Sequence, residues 1–398
     1  MFAHVEPFAG DPILALVEVF NADARPHKVN LGIGIYFDEH GRIPMLRSVQ
    51  LAEARVVEQA VPKTYLPIEG AANFRLAVQQ LLFGPRHAVL AAQRVATIQS
   101  VGSSGGLKVG ADFIRRWFPK AEVWVSDPTW ENHRSMFEGA GFAVHSYPYY
   151  DAGDGGVRFD AMLDTLRQVP AGSVVLLHAC CHNPTGVDLS RAQWQALIPV
   201  LKERGLIPYL DLAYQGFGDG IDEDAYAARA LADAGASFFV ANSFSKSMSL
   251  YGERCGALSV VCPDASQAGA VLGQLKFDVR RNYSSPPIHG GQIVAHVLAD
   301  GDLRPMWEAE LACMRERILA MRKALHGVIS AKLPARNFDY LLTQHGMFSY
   351  TGLSAAQVQR LREHYAVYLV RSGRICVAGL NEANVERTAQ AMAEVMAG

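Results

Sequence analysis

The chain has no uninterrupted apolar stretch of the length that a membrane-spanning helix requires. Its first residues, Met1-Phe2-Ala3-His4-Val5-Glu6-Pro7, lack a basic segment followed by an apolar core, so no secretory signal is expected. Charge is not polarised either. The 37 Lys and Arg stand against 39 Asp and Glu, and a formal net charge of −2 gives no electrostatic footprint for nucleic acid. The 6 cysteines (180, 181, 255, 262, 313 and 376) show no framework spacing, and a chain of 398 residues does not need disulfide staples. Repeats, low-complexity tracts and flexible linkers are missing as well. The expectation is a reduced, cytoplasmic protein with no membrane and no nucleic-acid partner.

What is present is a core. Half of the residues, 50%, are hydrophobic, enough at this length for two domains. Short apolar runs at 123–125, 174–178, 206–211, 237–242 and 257–262 read as buried strands, with helical segments between most of them. That alternation predicts an α/β fold with a mostly parallel sheet and helices on both faces. Over 107–118 the spacing places Leu107, Ala111, Ile114, Trp117 and Phe118 on one helical face. A long helix is expected over 304–330, with Trp307, Leu311, Met314, Ile318, Met321 and Leu325 as its core stripe.

The chemistry gathers at strand ends. Lys246 lies in Asn242-Ser243-Phe244-Ser245-Lys246, directly after a buried strand, where α/β proteins place their sites. Lysine forms Schiff bases with carbonyl compounds when its surroundings keep the amine reactive. Ser243, Ser245 and Arg254 add hydroxyl donors and a planar cation, a combination that holds phosphate. Lysine beside a phosphate cup points to pyridoxal 5′-phosphate. That cofactor needs a carboxylate to keep its ring nitrogen protonated, and Asp211 interrupts the apolar strand Leu206-Ile207-Pro208-Tyr209-Leu210. Tyr214, three residues on, could reach the cofactor's phenolic oxygen. Taken alone, the same residues also fit a surface lysine, a helix-cap acid and a packed tyrosine. His178, Cys180, Cys181 and His182 are zinc-type ligands crowded into five positions, with no second pair at finger-like spacing, so no metal is expected.

After His182 comes Asn183-Pro184-Thr185-Gly186, a turn that resembles the signature of fold-type I aminotransferases. With Asp211, Tyr214, Ser243, Ser245, Lys246 and Arg254 following in order, the chain resembles class I aminotransferases of the aspartate and aromatic amino acid branch. Further segments carry the likeness: Asn30-Leu31-Gly32-Ile33-Gly34-Ile35-Tyr36, Ser126-Asp127-Pro128-Thr129-Trp130-Glu131-Asn132-His133, Arg280-Arg281-Asn282-Tyr283-Ser284-Ser285-Pro286-Pro287, and 368–380 near the C-terminal end. It runs from near Asp11 almost to the end.

The resemblance implies a large cofactor-binding domain (45–311) with a seven-stranded-type sheet, a smaller α/β domain from both chain ends (13–44 and 312–398), and an N-terminal arm (1–12). It implies Lys246 as covalent anchor and general base, Asp211 as partner of the ring nitrogen, and Asn183 and Tyr214 on the phenolic oxygen, Asn183 also reaching the substrate carboxylate. Ser103 and Ser104, in the Gly-Ser turn at 102–106, join Ser243, Ser245 and Arg254 on the phosphate. Trp130 stacks on the ring and contacts substrate, His133 backs Asp211, and Gly34 lies in the substrate region. Arg374 grips the α-carboxylate. Arg280 reaches a side-chain carboxylate, and Tyr65 a phosphate, in the neighbouring subunit, which makes the expected homodimer share its active sites. Compared with aspartate-restricted members, Ile35, Phe37 and Ile43 replace typically smaller or polar side chains around the side-chain pocket, an apolar lining that favours an aromatic ring. Ser104 and Ser285 match the aromatic-using branch. Tyrosine and phenylalanine are therefore the expected donors, with aspartate secondary and 2-oxoglutarate as acceptor; the alternative is an aspartate aminotransferase with little aromatic activity. A lyase of the same fold would not need both Arg280 and Arg374. A regulator would need an added DNA-binding module.

Overall fold

The computed structural model describes residues 1–7, 10–60 and 62–397; Phe8 and Ala9 of the expected arm lie outside them. In chain order the strands are β1 (Val29–Asn30), β2 (Val95–Val101), β3 (Val123–Asp127), β4 (Val144–Pro148), β5 (Val174–His178), β6 (Ile207–Leu212), β7 (Phe238–Ser243), β8 (Cys255–Val261), β9 (Phe348–Tyr350), β10 (Val367–Tyr368) and β11 (Arg374–Cys376). The chain divides into two compact units, Pro44–Glu316 and the two segments Met1–Ile43 and Arg317–Gly398. Among the described residues no helix is long and apolar enough to cross a membrane.

The unit Pro44–Glu316 holds a seven-stranded sheet in the order β2-β8-β7-β6-β5-β3-β4. β3 to β7 pair in parallel, while β8 runs antiparallel to both of its neighbours. β5, β7 and β8 are buried along their whole length, as strands covered on both faces must be. From β3 the chain steps outward to β4 and then returns to β5 on the other side of β3. That reversal opens a crevice at the C-terminal ends of β3 and β5, where open α/β sheets bind their ligands.

The helix Gly102–Trp117 follows β2 and buries Leu107, Ala111 and Ile114 against the sheet. Trp117 and Phe118 depart from the expected buried face, being 52% and 42% exposed. The last turn reaches the opposite edge of the sheet, where both rings line a groove of about 840 Å3 with Phe113, Phe238 and Val271. Midway, the backbone comes very close to β6. The Tyr209 hydroxyl donates to the Gly106 carbonyl at 2.9 Å, and a Cβ on Gly110 would stand 2.1 Å from that hydroxyl oxygen.

The helix Leu303–Lys332 runs for 30 residues, and its expected stripe from Trp307 to Leu325 is buried. The indole of Trp307 donates to the Ser247 carbonyl at 2.7 Å, beside Lys246. In the other unit, β1 pairs in parallel with β10, and β9 pairs antiparallel with β11. Two arginines of the long helix organise its loops. Arg322, buried, donates to the carbonyls of Gly346 and Phe348, and Arg317 donates to those of Phe37, Ala378 and Leu380.

Gly110→Ala is expected to destabilise the protein by about 1–3 kcal/mol, the usual cost of overpacking a tight contact. Adding Tyr209→Phe recovers part of the loss, because the nearest atom is then gone. Denaturant unfolding of both variants checks this, and a Gly110→Ala protein as stable as its parent would contradict the close approach.

Candidate active site

Six strand termini converge on one edge of the sheet. β2, β3, β5, β6 and β7 all end there and β8 begins there, so each contributes its next few residues to a common space. At one side is a cradle for an anion. The helix Gly102–Trp117 starts directly after β2 with no side-chain cap, which leaves first-turn N–H groups of Ser103 and Ser104 available. Arg254 faces this helix end, donating to Ser245 Oγ at 3.3 Å and Ser104 Oγ at 3.4 Å. Ser243 Oγ donates in turn to Ser245 Oγ at 3.1 Å. Gly102 has a positive φ of 68°, and a Cβ there would lie 2.6 Å from Arg254 Nη2. Only glycine lets the guanidinium close over the turn.

Opposite lies a buried acid. Asp211, near the end of β6, is hydrogen-bonded through Oδ2 to His133 Nε2 at 3.0 Å. His133 Nδ1 meets the Thr129 hydroxyl at 2.8 Å. A carboxylate only accepts, so Nε2 carries the proton toward Asp211, and in the neutral ring Nδ1 accepts from Thr129. Burial works to raise the Asp211 pKa, but the His133 hydrogen bond, with the field of Lys246, holds it below the ordinary carboxylate range. Its other oxygen, Oδ1, is buried without a hydrogen-bond partner. A native acid rarely leaves such an atom orphaned unless a further donor is meant to meet it. Behind it, burial pushes His178 down to about 3 and His182 well below its usual value, so both rings are neutral.

Lys246 lies just past β7, its Nζ 5.0 Å from the centre of the Tyr214 ring. Burial lowers its pKa to about 8; Asp211 opposes the shift and Arg254 adds to it. An amine poised there is both nucleophile and base near neutral pH. Trp130 sits edge-on to His133 with ring centres 5.2 Å apart. Asn183 and Tyr214 are buried in the loops after β5 and β6. The structure thus brings together Ser103, Ser104, Trp130, His133, Asn183, Asp211, Tyr214, Ser243, Ser245, Lys246 and Arg254.

In the other unit Arg374 is buried on β11, its guanidinium 4.5 Å over the Phe348 ring and hydrogen-bonded to the Gly32 carbonyl. Gly34 is packed so closely that a Cβ would meet Phe348 at 2.9 Å. Tyr65 is 93% exposed, and Arg280, also exposed, hydrogen-bonds Ser284. Among the described residues neither hydrogen-bonds to the strand-end cluster. Thr129, Asp188 and Asp224 were not expected from the sequence. Thr129 was legible one helical turn before His133, whereas the two acids sit in loops with no local pattern. His133, His178 and Asp211 have ligand-type atoms within 4.8 Å of one another, as do Cys180, Cys181 and Asp224.

Residues 26–392 match the family described as aminotransferase class I and II. The chain is 62% identical over 397 residues to an aromatic-amino-acid aminotransferase of Escherichia coli (strain K12), covering 100% of both. It superimposes with a TM-score of 0.98 on the aromatic-amino-acid aminotransferase of Burkholderia pseudomallei covalently bound to pyridoxal phosphate, at 54% identity and 99% coverage of each chain. A psychrophilic aromatic amino acid aminotransferase from Psychrobacter sp. B6, cocrystallised with aspartic acid, matches with a TM-score of 0.99 and 52% identity over 100% of both chains.

A depressed carboxyl pKa contributes stability above the unfolded value and loses it as pH falls through the folded one. His133→Phe strands a buried charge and should cost about 3–5 kcal/mol at neutral pH. The loss should shrink on acidification, as burial then lets Asp211 take up a proton early. Unfolding of the cofactor-free protein against pH measures this; a penalty independent of pH would remove the pairing role.

Proposed function

The chain belongs to the class I and II aminotransferases, and from that membership we propose that it moves the amino group of tyrosine, phenylalanine and aspartate to 2-oxoglutarate. It is a pyridoxal 5′-phosphate-dependent transaminase. The observation that carries the chemistry is the partly buried Lys246, with its pKa about 8, beside the buried Asp211, with one oxygen unmet.

The residues fit the cofactor. The orphaned Asp211 Oδ1 suits the ring N–H, and the Gly102 turn under Arg254 suits a phosphate. When bound, the cofactor supplies an aldehyde carbon that takes the amino group and a protonated ring that draws electrons from the substrate's α-carbon. Ser103, Ser104, Ser243, Ser245 and Arg254 would hold the phosphate, and Trp130 would cover the ring. Asn183 and Tyr214 would donate to the phenolic oxygen. Asp211, kept ionised by His133, would hold the ring proton in place. Lys246 would anchor the cofactor and, as a free amine, serve as the base for the substrate's α-proton. Arg374, oriented by Phe348 and the Gly32 carbonyl, clamps the α-carboxylate, with Gly34 leaving room beside it.

Side-chain selection falls to Arg280 of a second copy for acidic substrates and to apolar lining for aromatic ones. Ile35 and Phe37 are partly buried and serve that lining, with Ser104 and Ser285 matching the aromatic-using branch; Ile43 is 45% exposed and contributes less. The exposure of Tyr65 and Arg280 supports a homodimer in which each copy completes the other's site. The unit Pro44–Glu316 serves as the cofactor-binding domain.

Borohydride reduction followed by peptide mapping should label Lys246, and Lys246→Ala should lose turnover by several orders of magnitude; labelling of another lysine would refute the anchor. Steady-state kcat/KM for tyrosine, phenylalanine and aspartate tests specificity. Arg280→Ala should lose aspartate by about 100-fold or more while the aromatic substrates change little, since a lost charge-assisted pair costs about 2–5 kcal/mol. A wild-type protein that ignores tyrosine and phenylalanine is an aspartate aminotransferase instead.

A further inference from the structure

Asp224 is a buried acid that none of the roles above employs. It lies at the far end of the loop that follows β6, just before the helix Tyr226–Asp233. Its Oδ2 accepts from the N–H groups of Gly216 at 2.7 Å and Gly218 at 2.9 Å, and its Oδ1 accepts from Asp219 at 2.9 Å. One carboxylate therefore gathers three backbone donors and folds residues 214–224 back on themselves. The turn begins at Tyr214, whose carbonyl accepts from Phe217 N at 3.0 Å.

A matching arrangement holds the neighbouring loop. Asp188 accepts from Cys181 N at 2.6 Å and His182 N at 2.8 Å, fixing the segment that presents Asn183. The Cys181 thiol donates to the Tyr214 carbonyl at 3.8 Å, so the two loops are tied to each other as well.

We propose that Asp224 is a positioning residue for transamination: by gathering the Gly216, Gly218 and Asp219 amides it sets the Tyr214 phenol beside Lys246 and in register with Asn183. This rests on the reading of Tyr214 as the donor to the cofactor's phenolic oxygen.

The energetics agree with a role beyond folding. Burial pushes Asp224 up to about 6, against its three backbone hydrogen bonds, and Asp188 adds to the rise. An acid whose pKa is raised in the folded chain binds its proton more tightly there, so this group subtracts stability as pH rises from the unfolded range through about 6. At neutral pH the ionised carboxylate is held at a cost, as groups kept for function often are. The loop backbone is packed tightly around it. A Cβ on Gly218 would lie 2.5 Å from Asp224 Oδ1, and one on Gly216 would lie 2.3 Å from Leu311.

The test reads the pH midpoint of the bound cofactor's visible absorbance in the holoenzyme. A phenol donating to the cofactor's phenolic oxygen weakens that oxygen's hold on the proton of the Lys246 linkage, so losing the donor raises the midpoint. Tyr214→Phe should raise it, and Asp224→Asn should raise it in the same direction with a loss of about 10- to 100-fold in kcat/KM, the scale of a misplaced site group. The double variant should go no further than Tyr214→Phe alone. Gly218→Ala, which displaces the carboxylate from the other side, should reproduce the shift if Asp224→Asn folds poorly. Asp224→Glu should restore part of it. A midpoint that moves in Tyr214→Phe but in neither Asp224→Asn nor Gly218→Ala overturns the proposal and leaves the reading of Tyr214 intact. A midpoint unmoved by Tyr214→Phe overturns both.

Discussion

Everything at the sheet's edge depends on keeping one negative charge out of water. Asp211 is buried on β6, and an isolated carboxylate there would neutralise itself. The Thr129–His133–Asp211 chain prevents that by committing the imidazole proton to Oδ2, which leaves Oδ1 for a donor from outside the chain. Burial brings the Lys246 amine down to about 8, and the charge on Asp211 limits that fall. Charge at one site and basicity at the other are thus a single electrostatic arrangement. Its anion cradle at Arg254 and the helix Gly102–Trp117 lies on the flank away from the acid.

The parts of this arrangement that were legible in the sequence are those where local pattern and chemistry coincide. Lys246 and Asp211 each stand at the end of an apolar run, and an ionisable residue there has few ordinary explanations. His133 and Asn183 became legible only through segments that resemble a known family, because a histidine or an asparagine in a turn has many structural uses. Asp188 and Asp224 left no trace. Both act on backbone N–H groups several residues away along a loop, and no periodicity records that kind of contact. The Trp117 expectation failed for a related reason. Helical spacing reports which residues share a face, but not how far the supporting sheet extends under it.

The unit formed by Met1–Ile43 and Arg317–Gly398 follows a different rule. There the segment 30–37 has little regular structure of its own, and side chains hold it by its carbonyls. Arg374 and Cys376 project from the same face of β11 to the carbonyls of Gly32 and Ile35, while Arg317 takes that of Phe37. Arginine suits this work because its fork of donors serves several acceptors at once. A substitution at Arg317 would therefore loosen the same segment that Arg374 holds.

The pairing of β1 with β10 has a bearing on how the chain is made. Val29 and Val367 meet across nearly the whole sequence, whereas the last strand of the large sheet ends at Val261. Closing so long a loop is entropically slow, and contacts of high sequence separation form late. During synthesis the large sheet can assemble while the first segment still has no partner strand. The strand-end residues around Lys246 and Asp211 are then assembled before β1 finds its partner strand, so a nascent chain would hold its reactive lysine in place before its second unit has formed.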